Sequence, residues 1–349
     1  MRRVLTVARG FSVGFGNSFG VRIAGLDGLR AWAIALVLGQ HLHMGGWINR
    51  FQPDLGRLGV ALFFALSGYL ITGILCDSTP SLARFYWRRS LRIFPAFYAY
   101  WWLLLGLALL GWQQVNPLAM LAAATYWINW LPGVRGWTLQ HLWSLAIEEQ
   151  FYLLWPLVLR LAGRKGAAWL IGAALLGWPL QRWWRRGNWG HPDLEEALFS
   201  VTYDALLWGC LLALWQRQNG NRWFRLATAP KMGWIPWLAV LALYAHWIQP
   251  PAMLVPYLRN ACLAWIVAWV AGNPGHGLTQ VLHLGPLRWL GTRSYSLYLW
   301  HPLFTLPSLQ SYYGWPQALG ASLVMAELSY RCIERPILAW RDRPAPDRT

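Results

Sequence analysis

Gly59-Val60-Ala61-Leu62-Phe63-Phe64-Ala65-Leu66-Ser67-Gly68-Tyr69-Leu70-Ile71 lies at the centre of the stretch 57–76, in which no charge stands between Arg57 and Asp77. A helix crossing a bilayer needs roughly 20 mostly apolar residues, and this stretch supplies them. Outward from it, the same reading applies to 28–48, 94–112, 141–160, 167–182, 197–215, 234–248, 253–271, 294–308 and 316–333. Hydrophobic residues make up 56% of the 349-residue chain and charged residues only 12%. A soluble domain carries roughly 25% charged residues, so lipid is the expected solvent. A soluble two-domain enzyme would have nowhere to bury this many apolar runs. The expected fold is all-α and polytopic, with about ten transmembrane helices and one re-entrant or interfacial segment.

Charge patterning orients these spans. Thirty Lys and Arg against thirteen Asp and Glu give a formal charge of +17. The basic residues cluster between apolar spans, as in Arg84 to Arg92 and Arg341 to Arg348. That is the pattern of cytoplasmic loops, and no nucleic-acid partner is expected. With Arg2, Arg3 and Arg9 inside, the arginines from Arg84 to Arg92 after the second span also fall inside, and the later basic loops do so only if the segment 117–131 does not cross. That segment has fifteen residues and precedes Pro132-Gly133. It is therefore expected to dip in and return, lining the outer approach to His41 in the first span. Arg182, Arg185 and Arg186 land outside and do not follow the rule. Residues 1–21 read as a cytosolic extension without a signal peptide, 22–340 as the membrane domain, and 341–349 as a basic cytosolic tail. Both termini are expected in the cytoplasm. Cys76, Cys210, Cys262 and Cys332 are scattered without metal-ligand spacing, so neither a disulfide framework nor a metal site is expected.

Polar groups at membrane depth are costly and mark functional sites. The first set is Asp27, Arg30 and His41. Arg30 and His41 are eleven residues apart, roughly 16 Å along a helix. A neutral imidazole accepts a proton near neutral pH, which makes His41 a candidate general base; a structural histidine bonded within the bundle is the alternative. His43 lies nearer the outer surface. The second set is Arg89 and Arg92, one helical turn apart and suited to phosphate, or else simply topogenic. The third is His141, Ser144 and Glu148, on one helical face at spacings of three and four, with Glu149 facing elsewhere. The fourth is Ser294 to Pro302, holding His301, followed by Glu327 and by Glu334, the latter expected to pair with an arginine at the cytoplasmic edge.

In order along 22–340, several motifs resemble the membrane-bound acyltransferase-3 family. They are Leu26-Asp27-Gly28-Leu29-Arg30 with ten residues to His41, Gly59 to Ile71, Arg88-Arg89-Ser90-Leu91-Arg92-Ile93-Phe94-Pro95, His141 to Tyr152, Tyr295 to His301 and Ser329 to Pro336. The resemblance implies an O-acyltransferase of the inner membrane. It implies His41 as the catalytic histidine, acting as base or as acyl relay and supported by Arg30, with Glu148 as a functional carboxylate. It implies Arg89 and Arg92 on the side of a cytosolic acyl-coenzyme A donor, with acetyl the expected acyl group. His141, Ser144 and His301 are expected to contact the acceptor, a hydroxyl of a glycan or glycolipid reached from the outer face. Membrane lipid is the other expected partner. Thr202 stands where many members carry an arginine, two residues before Asp204. A glycolipid transporter or flippase, a structural scaffold, or an enzyme acylating a small molecule such as a macrolide are the alternatives. Thioester consumption separates the enzymes from the rest.

Overall fold

A computed structural model describes residues 24–42, 55–78, 80–188, 203–218, 221–245, 248, 250, 254–309 and 312–343, and the side chains of Pro132, Trp178 and 180–188 are outside that description. The expectations for 1–21, His43, Thr202, the arginines at 182, 185 and 186, and the tail beyond Arg343 therefore fall outside it. Every regular element among the described residues is helical. The main ones are α1 (Ala24–His41), α2 (Leu55–Ser78), α3 (Leu82–Leu109), α4 (Pro117–Ala124), α5 (Leu142–Asn188), α6 (Tyr203–Gln216), α7 (Trp234–Tyr244), α8 (Leu254–Gly272), α9 (Ser294–Trp300) and α10 (Trp315–Ser329). Among the described residues, α2, α3 and α8 are long and apolar enough to cross a membrane by length and composition.

Local chemistry sets the helix ends, and several differ from the hydropathy reading. The third span was expected to begin at 94, yet α3 begins at Leu82, capped by the Ser81 side chain accepting from the Arg84 amide at 3.3 Å. The arginine run therefore lies on the helix rather than in a loop. Arg88 pairs with Asp342 at 2.8 Å, and Arg89 lies over the Tyr152 ring, its guanidinium carbon 5.0 Å from the centroid. The span expected over 294–308 is a helix only to Trp300. His301-Pro302-Leu303 then forms a 3-10 turn, because Pro302 lacks an amide hydrogen and cannot continue the ladder. The expected spans 141–160 and 167–182 belong to one element, α5, broken at Gly163 (φ 67°, ψ 176°). Past α10, Tyr330–Glu334 is a π-helical turn leading into Arg335–Arg341.

The core is built around α2. A Cβ added at Gly68 would overlap the Leu206 carbonyl oxygen, and one at Gly209 the Ala65 carbonyl oxygen. Glycine on both sides is what lets the α2 and α6 backbones approach this closely. Leu62, Phe64 and Leu66 of α2 are buried on the same core as Leu29 and Ile34 of α1 and Ile266 and Trp269 of α8. Many large apolar side chains point outward instead, among them Trp102, Leu109, Leu161, Trp169 and Leu176. An apolar exterior of this extent is what a lipid-facing surface requires.

Helices α3 and α5 are antiparallel. Tyr100 of α3 lies edge-on to His141 at the start of α5, and Arg89 lies over Tyr152 farther along it. The chain from 110 to 141 therefore leaves and rejoins the bundle at the same end. Helix α4 has eight residues, about 12 Å at 1.5 Å per residue, against a hydrocarbon layer of about 30 Å. It starts at Asn116, whose side chain accepts from the Leu118 and Ala119 amides, with Pro117 in the first turn. It descends along α3, which bonds it through Trp101 Nε1 to the Met120 carbonyl (2.9 Å) and the Tyr98 hydroxyl to the Ala124 carbonyl (3.0 Å). The tip is Tyr126, at φ 56°, stacked on Phe97 and Phe94. Gln150 of α5 holds the tip by donating to the Tyr126 carbonyl at 2.8 Å and to Asn129 Oδ1 at 2.9 Å.

Candidate active site

The four helices that carry the singled-out residues share one axis. Along α1, α3 and α9 the arginine end precedes the histidine end; along α5 the order reverses. Two groups of polar side chains result, one at each level of the bundle.

The first group lines a cavity of about 880 Å³ including its open mouth. Arg30 of α1, Ser67 of α2, Arg89 and Arg92 of α3, Glu148, Glu149 and Tyr152 of α5, and Ser294 and Tyr295 of α9 face it. Three guanidiniums and two carboxylates thus share one chamber with apolar walls from Val60, Phe63, Phe64 and Leu145. Arg30 is paired with Asp27 at 2.5 Å. Ser67 Oγ and the Tyr152 hydroxyl are 2.5 Å apart, and Tyr152 also donates to Glu148 Oε1 at 3.3 Å. The Arg89 guanidinium carbon lies 5.0 Å from the centre of the Tyr152 ring, and the Tyr295 hydroxyl donates to the Ile93 carbonyl at 2.8 Å. Of the three guanidiniums, that of Arg89 is thus set against an aromatic ring and that of Arg30 against a carboxylate.

The second group is three histidines. His301 Nε2 and His41 Nδ1 are 3.1 Å apart, with the rings stacked at 4.9 Å between centroids. His301 Nδ1 is 3.0 Å from the Leu297 carbonyl, and the residue is 1% exposed. His141 stands 5.7 Å from His301, edge-on. Among the described residues its ring nitrogens make no hydrogen bond of good geometry, although the Leu299 carbonyl lies close. Trp137 contributes an edge to His41 at 5.8 Å, and its buried indole N–H has no acceptor among the described residues.

One wall separates the two groups. Ser144 Oγ and the Tyr298 hydroxyl are 2.6 Å apart, and Tyr298 donates to the His141 carbonyl at 2.9 Å. Both line the arginine cavity, while the Tyr298 ring packs on His141 and His301 at 5.5 and 5.9 Å. A cationic chamber backed by an imidazole pair across a single hydrogen-bonded wall is suited to holding a polyanion at one end and moving a proton at the other.

Residues 23–327 match the acyltransferase domain family. The chain belongs to the acyltransferase-3 family. Among similar proteins, the putative peptidoglycan O-acetyltransferase YrhL of Bacillus subtilis (strain 168) is 32% identical over 355 residues, covering 90% of this chain and 55% of that protein. The peptidoglycan O-acetyltransferase OatA of Listeria monocytogenes is 31% identical over 363 residues, covering 90% and 56%. A putative O-acetyltransferase of Staphylococcus aureus (strain COL) is 29% identical, covering 93% and 60%. The chain thus spans little more than half the length of these relatives. No solved structure matches it.

In this acyltransferase-3 chain the expected site residues fall into the two groups just described. Arg30, Arg89, Arg92, Ser144 and Glu148 share the cavity. His41, His141 and His301 form the imidazole cluster. Arg30 stands in the cavity beside the α3 arginines, one long stretch of α1 away from His41. Two expectations need correction. Glu149 was expected to face elsewhere, yet it lines the cavity beside Glu148; neighbours on a helix differ by about 100°, and the chamber is wide enough to span that arc. Glu334 was expected to pair with an arginine. It is buried, accepts from the Ser296 hydroxyl, and forms no ion pair among the described residues, because the π-helical turn carries it to the face of α9. The carboxylate that does pair is Glu327, with Arg293 and Arg331. The segment 117–131 was expected to line the approach to His41; the aromatic ring that meets His41 is Trp137, outside that segment. Tyr298 lay within the fourth polar set without a role of its own, and Trp137 went unnoticed. Their types are ordinary for a membrane helix, and their roles depend on neighbours far away in sequence.

Proposed function

We propose that this chain is an integral membrane O-acyltransferase, moving an acetyl group from cytosolic acetyl-coenzyme A to a hydroxyl of a cell-wall polysaccharide of the peptidoglycan type. The observation that carries the reading is the shared Ser144–Tyr298 wall between a tri-arginine cavity and the His41–His301 pair. Family membership and the printed names of the relatives support the acyl group and the glycan acceptor.

The donor's phosphates fit the cavity because three guanidiniums converge there, each able to fork onto phosphate oxygens. Its pantetheine arm threads past the Ser144–Tyr298 wall and brings the thioester to His41. His41 takes the proton of the acceptor hydroxyl as the oxygen bonds to the thioester carbonyl carbon. The carbon–sulfur bond then breaks, and the thiolate leaves with the proton that His41 held. Sugar hydroxyl and thioester become ester and thiol. The donor enters from the cytoplasmic side and the acceptor from outside, with ten crossings and both termini in the cytoplasm of a bacterial inner-membrane protein. The purified full chain, given acetyl-coenzyme A and a peptidoglycan-type glycan, should release free thiol. His41→Ala should lose roughly 100-fold or more of that rate, the lower range for a general base, while inserting normally. A wild-type protein that binds the glycan but consumes no thioester would instead be a transporter or flippase.

A further inference from the structure

The His41–His301 contact has a direction that the geometry fixes. A backbone carbonyl can only accept, so His301 Nδ1, 3.0 Å from the Leu297 oxygen, must carry the proton. A neutral His301 ring then presents a lone pair at Nε2. That nitrogen faces His41 Nδ1 at 3.1 Å, so His41 Nδ1 must be the donor. The proton of His41 is thereby pinned on Nδ1, and its lone pair sits on Nε2. His301 is itself rigid: 1% exposed, at the helix end that Pro302 terminates, and walled by Tyr298 and His141.

We infer that His301 is a positioning residue rather than an acceptor-binding one: through the chain Leu297 carbonyl–His301–His41 it holds His41 in the tautomer whose Nε2 takes the acceptor's proton. This rests on His41 being the proton-accepting group. When His41 becomes charged, its Nδ1–H donates a stronger, charge-assisted bond to His301 Nε2. No proton need move between the rings, and the balance of the transfer is unchanged. A nucleophilic His41 would use the same Nε2 lone pair. In catalytic triads a carboxylate does the orienting; here a neutral imidazole backed by a helix carbonyl does it.

Two measurements test this on the full chain. In steady-state thiol release, His301→Ala should lower kcat by roughly tenfold or more, within the range of general-base effects, while KM for acetyl-coenzyme A stays near wild type. His301→Gln, whose amide oxygen can accept near the Nε2 position, should recover part of that loss. Wild-type kcat in His301→Ala, a raised KM for the acceptor with kcat unchanged, or Gln no better than Ala in protein of equal thermal midpoint would each overturn the assignment. Independently, 15N spectra of histidine-labelled wild-type protein, with His41 assigned by difference from His41→Ala, should show a protonated Nδ1 and an unprotonated Nε2. The opposite tautomer would overturn the inference even in a well-folded, active enzyme. A wild-type protein with no thiol release but the expected tautomer would instead remove the proposed reaction and leave the hydrogen-bond chain standing.

Discussion

Arg89 and Arg92 are one helical turn apart on α3, and both face the cavity. Sequence alone left two readings open, since basic residues beside an apolar span also fix membrane orientation. Their place in the chamber, with Arg89 against the Tyr152 ring, is what the proposed donor-binding role builds on. A purely topogenic arginine does not need an aromatic brace. Losing a hydrogen bond to a charged group costs about 1.5–3 kcal/mol, so Arg89→Ala and Arg92→Ala should each raise KM for acetyl-coenzyme A by about 10- to 100-fold. Lysine at these positions should restore little, because it lacks the planar fork. Steady-state kinetics across donor concentration checks this; an unchanged KM with altered membrane orientation would return the arginines to a topogenic role. The residue types His41, Arg30, Arg89, Arg92 and Glu148 were legible in the sequence because charge and imidazole are conspicuous in apolar surroundings. Tyr298 was not. Its meaning comes from a 2.6 Å approach to Ser144, 154 residues earlier, and no local pattern encodes that distance.

At the scale of elements, the existence of helices was easier to read than their ends. Hydropathy treats a charged run as a boundary, so the third span was drawn from 94, twelve residues past the true start of α3. The bundle interior, with its cavity and its Tyr152 face, is what allows arginines to continue a helix inward. Likewise Gly163 was invisible as the break in α5, since only its positive φ distinguishes it from the other glycines of that stretch. The α2–α6 crossing offers a sharper test. Both Gly68 and Gly209 touch backbone carbonyls that cannot swing aside. Gly209→Leu should therefore destabilise by about 1–3 kcal/mol or more, the usual cost of overpacking, and lower the thermal midpoint in detergent. Gly172→Leu, where a Cβ meets nothing within 4 Å, should change it little. Equal effects at the two sites would mean that the close crossing contributes nothing specific to stability.

For the whole molecule, the proposed mechanism requires donor and acceptor to reach the site from opposite sides, and this depends on the parity of crossings. The basic loops argued for parity from charge alone. The fold argues for it from a different observation: α3 and α5 are antiparallel, tied by Tyr100 to His141 at one level and by Arg89 to Tyr152 at the other. The intervening α4 descends beside α3 only as far as Tyr126, level with Gln150, before the chain climbs back through Asn129 to Thr138, whose carbonyl accepts from Tyr100 at 2.7 Å. Irregular backbone at that depth survives because protein covers it, and here Gln150, Tyr98 and Trp101 take up its carbonyls and the Asn129 amide. With Cys76, Cys210, Cys262 and Cys332 replaced, single cysteines at Gln113 and Val134 should both react with a membrane-impermeant maleimide from the outside of intact cells, and neither should react only after the cells are opened. A cysteine at Arg225, beyond the end of α6, should show the reverse. If Gln113 and Val134 label from opposite sides, α4 crosses, every later helix inverts, and the three histidines can no longer share one end of the bundle.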